Sequence, residues 1–185
     1  LMLGESTNVE RKGSSTSEKV VGQSLENIFL ANTKKRLIIA CFASSNYRVQ
    51  QVLTLAHKYN RKVVLAGKSM KAIVDVASAC GELHVPKGVI VDSVGKLLPH
   101  ETLVLATGSQ GEPLSALKKM SKGEFNKINV GSDDVVVLSS SPIPGNEKSV
   151  YDVINDLFRK GADVIYDSMN DIHVSGHAYE EELKL

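Results

Sequence analysis

Six short runs rich in Val, Ile and Leu recur along this chain, and the segments between them space their apolar residues as helices do. This alternation restricts the fold more than any other feature. The runs are "RLIIACF" (36–42), "KVVLAG" (62–67), "GVIV" (88–91), "TLVLA" (102–106), "DVVVLSS" (134–140) and "ADVIY" (162–166). Their apolar residues are continuous rather than alternating, which marks strands covered on both faces, the condition of a parallel sheet. Between them, "EKVVGQSLENIFLAN" places Val20, Val21, Leu25, Ile28 and Phe29 in an approximate helical stripe behind Ser17, a capping residue. "NYRVQQVLTLAHKYN", "SMKAIVDVASACG", "PLSALKKMS" and "NEKSVYDVINDLFRKG" follow the same logic, with Pro113 where a first-turn proline is tolerated and Gly81 and Gly161 as helix ends. The pattern predicts an α/β fold, an open and mainly parallel sheet of about six strands with helices on both faces, and leaves the strand order open.

A chain of 185 residues can bury a sizeable core in one domain. No run approaches the roughly 20 uninterrupted apolar residues of a membrane span. Lys and Arg total 22 against 21 for Asp and Glu, so net charge argues neither for nor against a polyanionic partner. Cys41 ends an apolar run and Cys80 lies far from it; two unpatterned cysteines are expected to be buried, reduced thiols of a cytoplasmic protein. The opening "LMLGESTNVE" has neither an initiator methionine nor a signal-peptide pattern, and it is expected to be internal to a longer protein.

The loops that follow four of the strands share one chemistry: "ASSN" after the first, "TGSQGEP" after the fourth, "SSSPIPGNE" after the fifth and "HVSGHA" shortly after the sixth. In a parallel sheet all four meet at the carboxyl edge, where open α/β folds bind ligands. Their Ser, Gly, Asn and Thr residues let backbone N–H groups come close to a ligand, and the helix N-termini behind them favour an anion. Phosphate is the anion expected. The same residues also make ordinary caps and turns, so it is the coincidence of four loops that points to a site. Neither the spaced-glycine dinucleotide motif nor the phosphate-loop lysine motif is present.

His173 and His177 lie four apart, a spacing that suits a metal only on a helix, and Ser175 and Gly176 break the helix between them. A turn entering a helix at Ala178 is the expectation, with Glu180, Glu181 and Glu182 in its first turn. His177 would then project from the loop edge. His57, His84 and His100 read as surface residues. No H-x-H-x-D-H cluster occurs, so a two-metal hydrolase site would need residues from elsewhere.

"ESTNVERKGSSTSE", "CFASSNYRVQQ", "LATGSQGEP", "SSSPIPGNE" and "IHVSGHA", in this order, closely resemble the β-CASP region of ribonuclease J, and the resemblance covers essentially the whole chain. It implies an RNA-binding part of an exo- and endoribonuclease of RNA maturation and decay, in which a metallo-β-lactamase domain, absent from this chain, binds two Zn2+ ions. RNA would enter 5′ end first, with its 5′-monophosphate in a small pocket. His177 matches the histidine thought to contact the scissile phosphate, and Glu18 the acid near the start of the region, with Glu26 a rival. Ser175, Gly176 and Ala178 fall where the phosphate pocket is expected, with Ser44 and Ser141 as further candidates. "ASSNYR" stands for the commoner "ASNxHR", leaving Arg48 as the retained cation. Glu5 occupies the position of a metal-bridging aspartate. The implied organisation is a 1–17 segment from the edge of the metallo-β-lactamase domain, a β-CASP domain over 18–178, and the start of a return over 179–185. By this reading the isolated chain is catalytically incomplete, and its parent is a homo-oligomer or pairs with a paralogue. The Glu5 departure supports an alternative, an RNA-binding and assembly module of a low-activity paralogue; a stand-alone nucleotide- or sugar-phosphate-binding α/β enzyme is the third reading.

Overall fold

The computed structural model describes residues 4–166 and 172–184. All six expected strands form: β1 (Arg36–Ala40), β2 (Lys62–Ala66), β3 (Ile90–Val91), β4 (Thr102–Ala106), β5 (Asp134–Leu138) and β6 (Asp163–Ile165). They pair in the order β3-β2-β4-β1-β5-β6, and every pairing is parallel. Most are shorter than the apolar runs because the chain turns away once it passes the carboxyl edge. Cys41 and Ser139 still donate backbone hydrogen bonds to Ala106 and Ala40, but their strands have ended. The two edge strands are the shortest, which blunts the open edges of the sheet.

Five helices of seven or more residues cover the sheet among the described residues: α1 (Glu18–Ala31), α2 (Asn46–Lys58), α3 (Lys68–Ala79), α4 (Ala116–Lys122) and α5 (Glu147–Arg159). A single turn, α6 (Glu180–Leu183), follows the sixth strand's loop. Alternation along each strand divides the core. Leu37, Ile39, Leu103, Leu105, Val135 and Val137 pack under α1, α2 and α3, whereas Ile38, Ala40, Val104, Ala106, Val136 and Leu138 pack under α4 and α5. Each fully buried Leu or Ile contributes about 1.5–3 kcal/mol of transfer free energy, so both faces are strongly held.

Strand order explains the division. The chain runs outward from β1 to β2 and β3, returns through β4, then runs the other way to β5 and β6. Crossovers of one hand must pass over opposite faces when their direction along the sheet reverses. Between β1 and β5 the following helices therefore leave on opposite sides, and a crevice opens at the carboxyl edge.

Local signals place the helix ends. The Ser17 side chain accepts from the Lys19 N–H at the start of α1, as its sequence position suggests. Gly81 and Gly161 follow α3 and α5 with positive φ. Pro113 is not a first-turn residue: α4 begins at Ala116, capped by Ser115, whose side chain accepts from the Lys118 N–H. Likewise α6 begins at Glu180 rather than Ala178, because Tyr179 is extended (φ −87°, ψ 177°) and serves as the N-cap, while the Ala178 N–H before it donates to the Glu5 carboxylate. No helix among the described residues is long and apolar enough to cross a membrane.

The two cysteines differ. Cys41 is buried between β1 and α2, and burial pushes its thiol up to about 12 against the opposing pull of the Arg48 charge. Cys80, expected to be buried, is exposed, because it lies just past the end of α3 on the turn into Gly81. The native chain should therefore react rapidly at one thiol with an aromatic disulfide reagent. The second should titrate only after denaturation, which absorbance of the released thiolate would follow.

Candidate functional site

The crevice between β1 and β5 widens into a cleft of about 570 Å3 at the carboxyl edge of the sheet. One wall is the loop after β1, with Phe42, Ser44, Ser45 and the buried Arg48. A second is the loop after β5, Ser139 and residues 141–144, and a third is the segment 173–177 that follows β6; Thr7, Asn8 and Glu18 close the remaining side. Of the residues proposed from sequence, Glu18, Ser44, Arg48, Ser141, Ser175, Gly176 and His177 line this one cleft. His173 lines it too and is half-buried. His57, His84 and His100 are exposed elsewhere, as expected.

Arg48 sits at the cleft floor with 2% of its surface exposed, although its helix starts at the sheet edge. Its guanidinium donates to the Ser139 hydroxyl, to the Ile172 carbonyl at 2.7 Å and to the Glu18 carboxylate at 2.8 Å. The Ser139 hydroxyl in turn donates to the same Ile172 carbonyl. One side chain thus joins α1, α2, the end of β5 and the root of the histidine loop. Such a planar, multi-donor tie needs arginine rather than lysine. The charge is spent on Glu18 and the hydrogen bonds on the protein, so Arg48 lies at the site as a brace. Glu26, the rival acid, is far from the cleft; its carboxylate accepts from Lys58 and Tyr59, and those two bonds hold its carboxyl below the usual range.

The loop carrying His177 is held from the other side by the first residues of the chain. The Glu5 carboxylate accepts from the Thr7 and Ala178 N–H groups at 2.9 and 3.1 Å and meets His177 Nδ1 at 3.2 Å. The Thr7 hydrogen bonds are the largest cause holding the Glu5 carboxyl below its ordinary range, with Ala178 and the His177 charge adding to them. A carboxylate at Nδ1 favours the tautomer protonated there, which leaves Nε2 for another partner. Both side chains are about half exposed, so the contact orients the ring more than it stabilises the fold. Asn8 donates to the Ser175 hydroxyl at 2.7 Å and forms a parallel backbone bridge with Tyr179. Arg11 donates to and lies over Tyr179, and the Ser15 N–H and hydroxyl donate to Glu182. Residues 5–15 are therefore clasped to residues 175–182. The first three residues of the 1–17 segment and the last of 179–185 lie outside the described residues.

The loop "TGSQG" departs from expectation. It turns inward behind the β5 loop instead of joining the cleft lining. Buried Gln110 donates to the Ser140 hydroxyl and the Ser141 carbonyl and accepts from the Ile143 N–H, bracing that wall from behind. Gly111, at φ +69°, passes so near α5 that a Cβ would run into the Ser149 carbonyl. Three loops form the cleft and the fourth supports one of them; a Gln between Ser109 and Gly111 reads as one more polar loop residue and gives no sequence signal for that role.

Chemically the cleft is rich in donors and poor in net charge, because Glu18 and Arg48 cancel. Ser45, at the start of α2, makes no side-chain cap; the Asn46 N–H donates to the Ser44 carbonyl, and the positive end of the helix dipole, with the first-turn N–H groups after Asn46, is left for a ligand at this edge. This combination suits one phosphate group. No group of three or more His, Cys, Asp or Glu that could hold a metal occurs among the described residues. Glu5 and His177 supply two donors engaged with each other, short of the three or four protein ligands of a zinc site. The described residues do not by themselves fit the zinc pair implied by the resemblance.

The family model described as "Ribonuclease J, beta-CASP domain" matches residues 34–157. Ribonuclease J of Helicobacter pylori is 39% identical over 187 aligned residues, covering 100% of this chain and 27% of that protein. Ribonuclease J of Mycolicibacterium smegmatis is 43% identical, with 99% and 33% covered, and that of Thermus thermophilus 40% identical, with 100% and 32% covered. The chain spans 27% to 33% of the length of these relatives.

Proposed function

We propose, from the premise that this chain belongs to the ribonuclease J β-CASP family, that it is the RNA-holding portion of a longer ribonuclease and that its cleft receives a 5′-monophosphate end. The observation that carries this reading is the placement of Ser175, Gly176 and His177 across a switch-point cleft from the uncapped start of α2. A terminal phosphate there would meet hydroxyl and N–H donors and the His177 ring, with no surplus of fixed cations to hold a longer polyanion. The parent protein would hydrolyse RNA phosphodiester bonds in the cytoplasm, by exo- and endonucleolytic action in RNA maturation and decay. Its two zinc ions would be held mainly by residues beyond this chain, and the isolated chain would bind RNA without cutting it.

Fluorescence anisotropy with two short oligoribonucleotides, identical except for a 5′-monophosphate or a 5′-hydroxyl, tests the reading. Hydrogen bonds to a charged group are worth about 1.5–3 kcal/mol, so the phosphorylated RNA should bind at least about tenfold more tightly. His177→Ala should remove most of that preference. Equal affinity of the unaltered chain for both RNAs would sink the phosphate assignment.

A further inference from the structure

We propose that Asn8 is a positioning residue that turns the Ser175 hydroxyl into a dedicated hydrogen-bond donor for the phosphate, an inference that rests on the 5′-phosphate reading above. A serine hydroxyl has one hydrogen to donate and two lone pairs to accept with. Ser175 Oγ accepts from Asn8 Nδ2 at 2.7 Å and from the His177 N–H at 3.2 Å, so both of its acceptor positions are in use. Among the described residues it donates to none. Its hydrogen is left to point away from these two donors, and Ser175 lines the cleft.

The orientation of the Asn8 amide follows from a second contact. The same Nδ2 reaches the His177 carbonyl at 3.3 Å, and a carbonyl can only accept, so the NH2 end faces the loop. Asn8 thereby fixes the polarity of Ser175 as well as its place. Without a donor at that point the hydroxyl could rotate inward, or accept from a ligand as readily as donate to one, and an anion would lose its preference. The position of Asn8 does not depend on its own side chain. The backbone bridge to Tyr179, the Glu5 contact to Ala178 and the Ser15 contacts to Glu182 hold the segment on either side.

The test uses the whole chain and the two oligoribonucleotides, with Asn8→Ala, Asn8→Asp and Ser175→Ala made singly and Asn8→Ala combined with Ser175→Ala. Asn8→Ala should cost about tenfold in affinity for the 5′-monophosphorylated RNA and leave the 5′-hydroxyl RNA unchanged. Asn8→Asp keeps the shape but offers an acceptor, drawing the Ser175 hydrogen inward, and should cost at least as much. In the Ser175→Ala background Asn8→Ala should add nothing. Equal loss on both RNAs, additive losses in the double variant, or full affinity in Asn8→Asp would each overturn the assignment. If the unaltered chain prefers the phosphorylated RNA and Asn8→Ala keeps that preference, this inference alone falls. If the unaltered chain shows no preference, the phosphate reading falls and carries this inference with it.

Discussion

Replacing Arg48 with alanine should destabilise the folded chain by about 3–5 kcal/mol, a large fraction of the total stability of a domain this size. Three losses combine. The substitution empties the space of one of the largest fully buried side chains. It also strands the Ile172 carbonyl and the Ser139 hydroxyl, which then keep only each other. Finally, it leaves Glu18 without its cation, although at 35% exposure that carboxylate can recover much of its hydration. Arg48→Met restores most of the volume but none of the donors, and should recover only the cavity part of the loss. Arg48→Lys keeps the charge but cannot serve all three acceptors from one ammonium, and should fall between. The guanidinium Nε makes no hydrogen bond among the described residues, so lysine loses nothing there. Urea unfolding of the four proteins measures the ranking, and an Arg48→Met variant as stable as the original would refute the brace. Hydrogen exchange should localise the effect: amides of 172–178 should lose protection first, since Arg48 holds the root of that loop.

Much of this arrangement can be read from the sequence, and the limits of that reading are physical. Continuous apolar runs declare buried parallel strands because burial on both faces removes any need for polar alternation, and all six runs become strands. Ser17, Gly81 and Gly161 mark helix ends because their local chemistry acts within a few residues. Strand order is not local, so β4 inserting between β2 and β1 leaves no trace in any single segment. The same holds for which loops reach the cleft. "TGSQG" has the composition of a phosphate loop, yet Gln110 finds better partners in the backbone of the neighbouring loop and turns inward. Arg48 reads as a retained, RNA- or phosphate-binding cation, and nothing in "ASSNYR" reveals that Glu18 and Ile172 will surround it. The bonds from Glu5 to His177 and Asn8 to Ser175 join residues 172 and 167 positions apart, and only the closed fold brings them together. Asn8 was in plain view in "ESTN"; its role depends on an acceptor that no spacing argument could supply.

At the opposite end of the sheet a second buried charge should prove as costly to remove, and for reasons unconnected with the cleft. Asp134 is 2% exposed at the start of β5 and is the register partner of Arg36 at the start of β1. Arg36 donates to it from Nε at 2.6 Å and from Nη2 at 2.8 Å, and the Gly131 N–H adds a third bond at 2.8 Å. Asp134→Ala leaves a guanidinium with 16% exposure and no carboxylate, and breaking a buried pair in this way costs about 3–5 kcal/mol. Replacing both residues by leucine removes the stranded charge. The double variant should therefore be more stable than Asp134→Ala, though still below the original, because the Gly131 N–H and the Asn129 carbonyl lose their partners. The denaturation midpoints of these variants would measure this order, and an Asp134→Ala midpoint at or above that of the double leucine variant would contradict it. Because this pair sits at the amino edge, any Asp134 variant that remains folded should keep the full 5′-phosphate preference of the cleft. That separates the two ends of the sheet: a loss of stability at Asp134 leaves recognition intact, whereas a comparable loss at Arg48 takes the histidine loop with it.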